Sequence, residues 1–537
     1  MKRIAFSVLV ALLLIFGIEY SNVLGHQNYK PDLRVDLISN EHVLSWNKIP
    51  YPALYRVEIL NHLPAGGEKK AARHTIASYY TWQNHFPIER TFPFQTYGRV
   101  SANGLFRHPL SKYSEPVHLT AAEETASIEF EKTKPLITSH FSEAKPASTR
   151  PMLRWTTVPG AVYYEIEILS SPPENPNGIE ASQFRIHMSR EVFTTGYNAD
   201  LSSITENTLY WRVRALNYDG HPLGVFSDAA RLLVDRRLQP IAKPTITVEF
   251  NKNGAPIPLY PAYSWIPIFG AISYEVEITD SLPENPNIAE PSKYRIWSKQ
   301  VTGFACYDEL ARSKPGTYFW RVRGLDVAGN AVGIWSKAGK FVVNPPQNTY
   351  AATFGDSITH GGGAVSYSPA DLEYSYQTYL SFPALNLGRS GDTAETMLER
   401  FDSDVLPFKP KFLLIMGGTN SLRGGVPATD VIRDLTALRN KCLEQGIRPI
   451  FLTLPPVNPA NIEKVFNEET TPNWRSQFDA VNDFIRLQRY HIDIEPFLSD
   501  AEGQLPDYFA IDGLHLDIEG KKRIAQIINL NWGKVTH

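Results

Sequence analysis

The sequence predicts a multidomain chain in which three β-sandwich domains precede a three-layer α/β/α domain with a mostly parallel sheet. In the first two thirds, short strands of alternating character recur behind a tryptophan at constant spacing. In the last third, apolar strand-like runs alternate with helical periodicities, and polar turn clusters follow the runs. At 537 residues the chain is too long for one core. Its 43% apolar and 20% charged residues mark it as globular. A net charge of −3, with no basic run or stripe, gives no footing for nucleic acid.

Residues 1–25 read as an export signal: Lys2-Arg3, an apolar stretch from Ile4 to Ile18, and the small-residue exit Val23-Leu24-Gly25. The apolar run, about 15 residues, is short of the roughly 20 that a spanning helix needs. A secreted or cell-surface protein without a spanning segment after signal removal is expected, with an uncleaved signal-anchor as the alternative. No cysteine follows the run, so a lipid-modified N-terminus is not expected. Cys306 and Cys442 fall in different domains and read as two buried thiols, unsuited to a structural zinc site without several histidines.

The repeats come next, with expected boundaries 26–125, 126–237 and 238–344. Trp46 is followed nine residues on by Tyr55-Arg56-Val57-Glu58-Ile59, Trp155 by Tyr164-Glu165-Ile166-Glu167-Ile168, and Trp265 by Tyr274-Glu275-Val276-Glu277-Ile278. Each block has the period of a half-buried strand, with Tyr, Val and Ile facing inward. A later strand closes copies two and three, Tyr210-Trp211-Arg212-Val213-Arg214 and Phe319-Trp320-Arg321-Val322-Arg323, with Trp211 and Trp320 pointing inward. Copy one has only the weaker Tyr97-Gly98-Arg99-Val100. Pro-Glu-Asn-Pro-Asn, at 173–177 and again at 283–287, marks a loop after the first of these strands. A unit of about 110 residues built this way is a β-sandwich. The pattern resembles fibronectin type III-like domains, which implies spacers or interaction modules. Tyr79, Tyr80, Trp82 and Trp297 are candidates for a sugar platform, set against the commoner role of sandwich aromatics as core.

Asn344-Pro345-Pro346-Gln347-Asn348 excludes helix and central strand and opens the last domain, 345–537. Strands are expected at 349–354, 382–387, Phe412–Met416 and 449–454. Helical spacing of Val431, Leu435, Leu438 and Cys442 predicts a helix over 431–445, stopped by Gly446. Further helices are expected at 478–487 and 517–528, with a long loop over 458–474.

In parallel-sheet domains ligands bind at the carboxyl ends of the strands. Gly355-Asp356-Ser357, Gly388-Arg389-Ser390-Gly391-Asp392-Thr393 and Gly417-Gly418-Thr419-Asn420 each follow a strand, and Asp512-Gly513-Leu514-His515 leads into the final helix. A serine, a histidine to take its proton and a carboxylate to orient the imidazole are what acyl transfer requires at neutral pH. In this order the blocks resemble the SGNH (GDSL-type) hydrolases across nearly all of 349–537. The resemblance puts the nucleophile on Ser357, the base on His515, the acid on Asp512, and the oxyanion-hole donors on Gly391 and Asn420 beside the Ser357 N–H. Gly388 competes with Gly391. No cofactor or metal is implied.

Each block also has a plain structural reading. Gly-Asp-Ser can be a turn, Asp512 a helix cap and Asn420 a turn residue. Two positions sit beside the site: His360, expected as a loop residue at its rim, and Arg389, read as structural or solvated ahead of an anion grip. Ser421 stands where the family often has Asp, so any support from an acid there is missing. No Gly-x-Ser-x-Gly elbow surrounds Ser357, which argues against an α/β-hydrolase. Export, sandwiches and a serine hydrolase together point to an extracellular ester, foremost an acetylated polysaccharide. The alternatives are a lysophospholipase-like lipid esterase and a non-catalytic surface adhesion protein. The 458–474 loop, with Val465, Phe466 and Trp474 its few large apolar groups, is expected to wall the pocket and to favour short acyl chains.

Overall fold

The computed structural model describes residues 31–38, 41–48, 54–60, 75–87, 96–104, 109–119, 133–344, 349–363, 367–500 and 502–537. The expected signal at 1–25 and most of the Pro-Pro linker lie outside them. No helix among the described residues is long and apolar enough to cross a membrane.

The first compact unit ends at Ser127 apart from a short piece at 501–503. In it an antiparallel sheet of Leu33–Ile38, Glu41–Trp46 and His85–Pro87 accompanies a second of Thr75–Thr81, Leu54–Leu60, Tyr97–Asn103 and Val117–His118. Leu44 and Trp46 from one sheet and Tyr55, Val57 and Val100 from the other share one core. Tyr79, Tyr80 and Trp82 are all exposed.

The next two strand-rich regions repeat this arrangement. Met152–Arg154 pairs with Gly196–Asn198, while Tyr163–Leu169 lies between Arg185–Val192 and Thr208–Leu216. Trp155, Tyr164, Ile166 and Trp211 fill the core between those sheets. Ala262–Ile266 and Ser273–Thr279 hold the corresponding positions further on, with Trp265, Tyr274, Val276 and Trp320 in the core. Trp297 is half-buried against Tyr263, at 6.4 Å between ring centroids. Cys306 and Cys442 are buried and free, and burial pushes both thiols up to about 12.

The strands are not half-buried as their alternation suggests. Both faces of Tyr163–Leu169 are covered, and the acidic positions pair internally with the arginines of the Trp-Arg-Val-Arg strand. Arg212 donates to Glu167 at 2.8 Å with both side chains fully buried, and Arg214 meets Glu165 at 2.7 Å. The Pro-Glu-Asn-Pro-Asn loop forms the lid, because Arg212 also donates to the carbonyls of Asn175 and Glu180. Phe226 covers the guanidinium of Arg212 at 4.0 Å. The third region repeats the device with Arg321 on Glu277 at 2.6 Å, the Asn285 carbonyl and Trp335. The weaker first copy keeps the pair and its aromatic cover: Arg99 meets Glu58 at 2.6 Å beneath Tyr113. A carboxylate and a guanidinium that satisfy each other, with loop carbonyls taking the remaining donors, make burial of such a pair tolerable.

In the C-terminal region a parallel sheet has the order β2 (Leu385–Asn386), β1 (Ala351–Gly355), β3 (Phe412–Met416), β4 (Arg448–Leu452) and β5 (His491–Ile492). Helices α1 (Ser357–His360), α2 (Ala394–Asp404), α3 (Thr419–Arg423), α4 (Ala428–Glu444), α5 (Pro459–Phe466), α6 (Trp474–Arg486) and α7 (Ile518–Thr536) connect and follow the strands. Right-handed crossovers put α2, α4 and α6 on one face of the sheet. They send the β1-to-β2 connection, which α7 packs against, to the other. The expected 458–474 loop contains a helix instead. Asn458 accepts the Asn461 N–H as N-cap, Pro459 occupies the first helical position, and Asn467 closes the far end in the left-handed region.

The third strand-rich region is not a mere spacer. Leu259 and Tyr260, just ahead of Ala262–Ile266, are buried in the core of the C-terminal domain. The Leu259 N–H donates to the Asn386 carbonyl at 2.9 Å, which covers the edge strand β2.

Arg212→Ala strands Glu167 in the interior, with Arg185 at 3.5 Å its remaining charged partner and the Ser182 N–H at 3.4 Å beside it. Removing one member of a buried pair costs about 3–5 kcal/mol. Urea unfolding of the full chain should show a transition weakened by that amount. Arg212→Met combined with Glu167→Leu, which removes both charges, should recover most of it.

Candidate active site

The order β2-β1-β3 reverses the direction of winding at β1, and a crevice opens at the carboxyl ends of β1 and β3 where their connections diverge. β1 leads straight into α1, whose first residue is Ser357. Asp356 caps this short helix by accepting the Ile358 N–H at 3.0 Å. Burial raises its carboxyl to about 6, although the Ile358 N–H and the neighbouring His515 and Lys521 oppose the shift. From behind, the fully buried Lys521 of α7 donates to the Ile358 carbonyl at 2.8 Å. Burial lowers that ammonium to about 8 against the pull of Asp356, Asp517 and Asp512.

His515 lies in the turn before α7 and reaches Ser357 across the crevice. Its Nε2 is 3.0 Å from Ser357 Oγ, and its Nδ1 is 2.8 Å from Asp512 Oδ2. The other Asp512 oxygen accepts the N–H groups of Leu514 and His515 at 2.8 and 2.7 Å. With the carboxylate fully buried and fixed, Nδ1 carries the hydrogen and Nε2 is left to accept from the serine hydroxyl.

Gly391 and Asn420 come from the two neighbouring connections. Gly391 has φ +88°, and a Cβ there would point into open space, so glycine is required by backbone conformation. Gly388 serves packing, since a Cβ would sit 2.4 Å from the His360 backbone nitrogen. Asn420 uses one amide hydrogen on the Asp392 carbonyl at 2.9 Å and keeps a second. Among the described residues, the N–H groups of Ser357 and Gly391 have no acceptor. Ser421 supports the loop as an acid would, accepting the Ala394 N–H at 2.9 Å.

Arg389 is structural, bound to Asp392 at 2.8 Å. His360 is not a rim residue, because it is buried and doubly engaged. Its Nδ1 accepts the Ser390 N–H at 3.1 Å, which puts the hydrogen on Nε2 for donation to the Tyr260 carbonyl at 2.6 Å. Behind Gly391, Arg400 binds Asp392, Asp404 and the Gly355 carbonyl, and the Tyr260 hydroxyl donates to Asp404 at 2.6 Å. Sequence reasoning missed Lys521, yet it shares the buried face of α7 with Ile518, Ile524 and Ala525, a charged residue at an apolar-face position. Nothing local flagged Tyr260.

Of the apolar groups expected near the pocket, Phe466 at the end of α5 stands edge-on to the His515 ring at 6.1 Å. Trp474 packs against Phe478 and joins the core. The Asn458 N–H donates to the Gly513 carbonyl at 2.9 Å, tying α5 to the Asp512–His515 turn.

Residues 353–523 match the model of the GDSL-like Lipase/Acylhydrolase family. A stretch of 83 residues is 39% identical to the uncharacterized lipoprotein YqeF of Bacillus subtilis (strain 168). That match covers 14% of this chain and 34% of the relative, so the chain spans about a third of the curated protein it matches. Among solved structures, a lipase/acylhydrolase from Enterococcus faecalis is 22% identical with a TM-score of 0.29, over 35% of this chain and 97% of that one. An acetyl xylan esterase is 18% identical with a TM-score of 0.27, over 34% of this chain and 98% of that one.

His360 also predicts a pH dependence of stability. Burial holds its imidazole at about 4, against an ordinary value of 6.5. Between those values the unfolded chain binds a proton that the native state does not. The contribution of His360 is therefore complete above pH 6.5 and falls by about 3 kcal/mol as pH drops to 4. Unfolding free energies measured across that range should decline more steeply for wild type than for His360→Asn.

Proposed function

We propose that this chain, whose C-terminal domain belongs to the GDSL-like lipase/acylhydrolase family, hydrolyses carboxylic esters through an acyl-enzyme intermediate on Ser357. The observation that carries this reading is the continuous link Ser357 Oγ to His515 Nε2 and His515 Nδ1 to Asp512. In the first step Ser357 Oγ attacks the ester carbonyl while His515 Nε2 takes its proton. Asp512 stabilises the imidazolium formed. The N–H groups of Ser357 and Gly391 and the second Asn420 amide hydrogen meet the developing oxyanion. His515 then protonates the departing alcohol. Water enters, loses a proton to His515 and releases the acid, restoring Ser357.

The substrate class proposed is a short-chain ester of an extracellular polysaccharide, acetyl foremost. Support comes from the export-like residues 1–25, from three repeats of fibronectin type III-like pattern over 26–344, and from the polar composition of 458–474. The curated relative that the chain matches in part is called a lipoprotein, which fits an extracytoplasmic setting. Phe466 beside His515 is the observation that favours the second reading, a lipid-type esterase with a longer acyl chain. A surface adhesion role without catalysis is the remaining alternative.

Hydrolysis of p-nitrophenyl acetate, butyrate and octanoate tests these readings together. Activity should be highest on acetate and vanish in Ser357→Ala, while a maximum on octanoate moves the substrate to lipids. Loss of an oxyanion donor typically costs about 10²–10³ in rate, so Asn420→Ala should show that fall in kcat with its fold retained. Equal rates for wild type and Ser357→Ala would leave the adhesion reading in place.

A further inference from the structure

Leu259 and Tyr260 come from the strand-rich region that precedes the hydrolase-like domain, yet they are 2% and 4% exposed and lie in that domain's core. Beside the apolar packing, directional hydrogen bonds fix them there. The Leu259 N–H and carbonyl are both used, by the Asn386 carbonyl at 2.9 Å and the Arg312 N–H at 2.8 Å. The segment is thus clamped between β2 and its own domain. The Tyr260 carbonyl takes the His360 Nε2 hydrogen, and the opposite side of the same ring receives the Ser390 N–H. Ser390 Oγ lies 2.9 Å from the same Nδ1. The Tyr260 hydroxyl reaches Asp404, which shares Arg400 with Asp392, and the Asp392 carbonyl holds the Asn420 amide. Each path ends at a different wall of the crevice.

We infer that Tyr260 and His360 form a strut by which the third strand-rich region positions the Ser390-Gly391 turn and the Asn420 amide, making that region part of the catalytic unit. His360 and Tyr260 are positioning residues; among the described residues their side chains hydrogen-bond to Ser390, the Tyr260 carbonyl and Asp404, not to the side chains of Ser357, Asp512 or His515. A neutral imidazole suits the task, because it offers one acceptor and one donor on opposite sides at fixed separation. Burial keeps it neutral at physiological pH. The inference rests on the esterase reading for its kinetic consequence and on geometry alone for its structural one.

Full-length His360→Asn keeps an acceptor near Ser390 but cannot reach the Tyr260 carbonyl, while His360→Gln keeps a donor toward Tyr260 and loses the acceptor. Tyr260→Phe removes only the bond to Asp404. For each variant, kcat and KM on p-nitrophenyl acetate and amide hydrogen exchange of peptides covering 386–393 and 412–416 would be measured. The expected result for both His360 variants is a fall in kcat of about tenfold or more with KM within about twofold. Faster exchange confined to 386–393 should accompany it. A smaller fall in the same direction is expected for Tyr260→Phe, which also serves if the His360 variants do not fold. Wild-type kcat and exchange in His360→Asn or in Tyr260→Phe would overturn the strut. If wild-type hydrolysis does not depend on Ser357, the esterase reading fails, and exchange at 386–393 still decides the strut.

Discussion

The reversal of strand order at β1 is the constraint from which the site follows. A sheet wound in one direction throughout would cover every strand end with its own crossover. Here the connection after β1 leaves toward one face and those after β2 and β3 toward the other, so a gap remains at their carboxyl ends. Ser357, Gly391 and Asn420 arrive there on consecutive strands of that sheet. The fourth contribution, Asp512 with His515, comes from the turn that precedes the last helix. Groups so distant in sequence need no long side chain to meet, because the backbone has already delivered them.

Rigidity behind the crevice comes from buried polar groups whose partners are nearly all supplied. Arg400 alone gathers two carboxylates and the carbonyl of Gly355, and so ties the end of β1 to α2. Lys521 holds the first turn of α1 from the opposite side. Such charges are costly to bury singly and specific when satisfied, which suits a site that must hold donors still while charge develops. The strand-rich regions use the same chemistry for another end. In the second and third of them an arginine that neutralises a glutamate also fastens a loop over an outer sheet face.

Where local pattern decides the outcome, the sequence was a good guide. The Trp-to-Tyr spacing, the apolar run Phe412–Met416 and the helical period beginning at Val431 all lie in elements of the expected type. His515 stands within hydrogen-bonding distance of both Ser357 and Asp512. Legibility ended where an outcome depends on partners far away in sequence. Alternation in Tyr163–Leu169 suggested an exposed charged face, and only the distant strand carrying Arg212 and the loop around Asn175 make it interior. The helix Pro459–Phe466 was hidden because a polar, Pro- and Asn-containing stretch reads as loop unless the cap geometry is considered. His360 looked like a rim residue because its partners, Tyr260 and Ser390, come from opposite directions along the chain. Tyr260 itself carries no local mark of its burial in the core around the parallel sheet.

The intrusion of Leu259 and Tyr260 also bears on the order in which the chain matures. Synthesis proceeds from the N-terminus and domains tend to fold as they emerge, so the third strand-rich region can form before the parallel sheet exists. During that interval its two apolar residues have no cavity to enter and face water. They become a ready template against which β2 can align as it appears. The parallel-sheet region therefore completes itself around a piece of the strand-rich region before it. A nascent chain halted between the two would display a small adhesive patch, the kind of surface that a chaperone is built to shield.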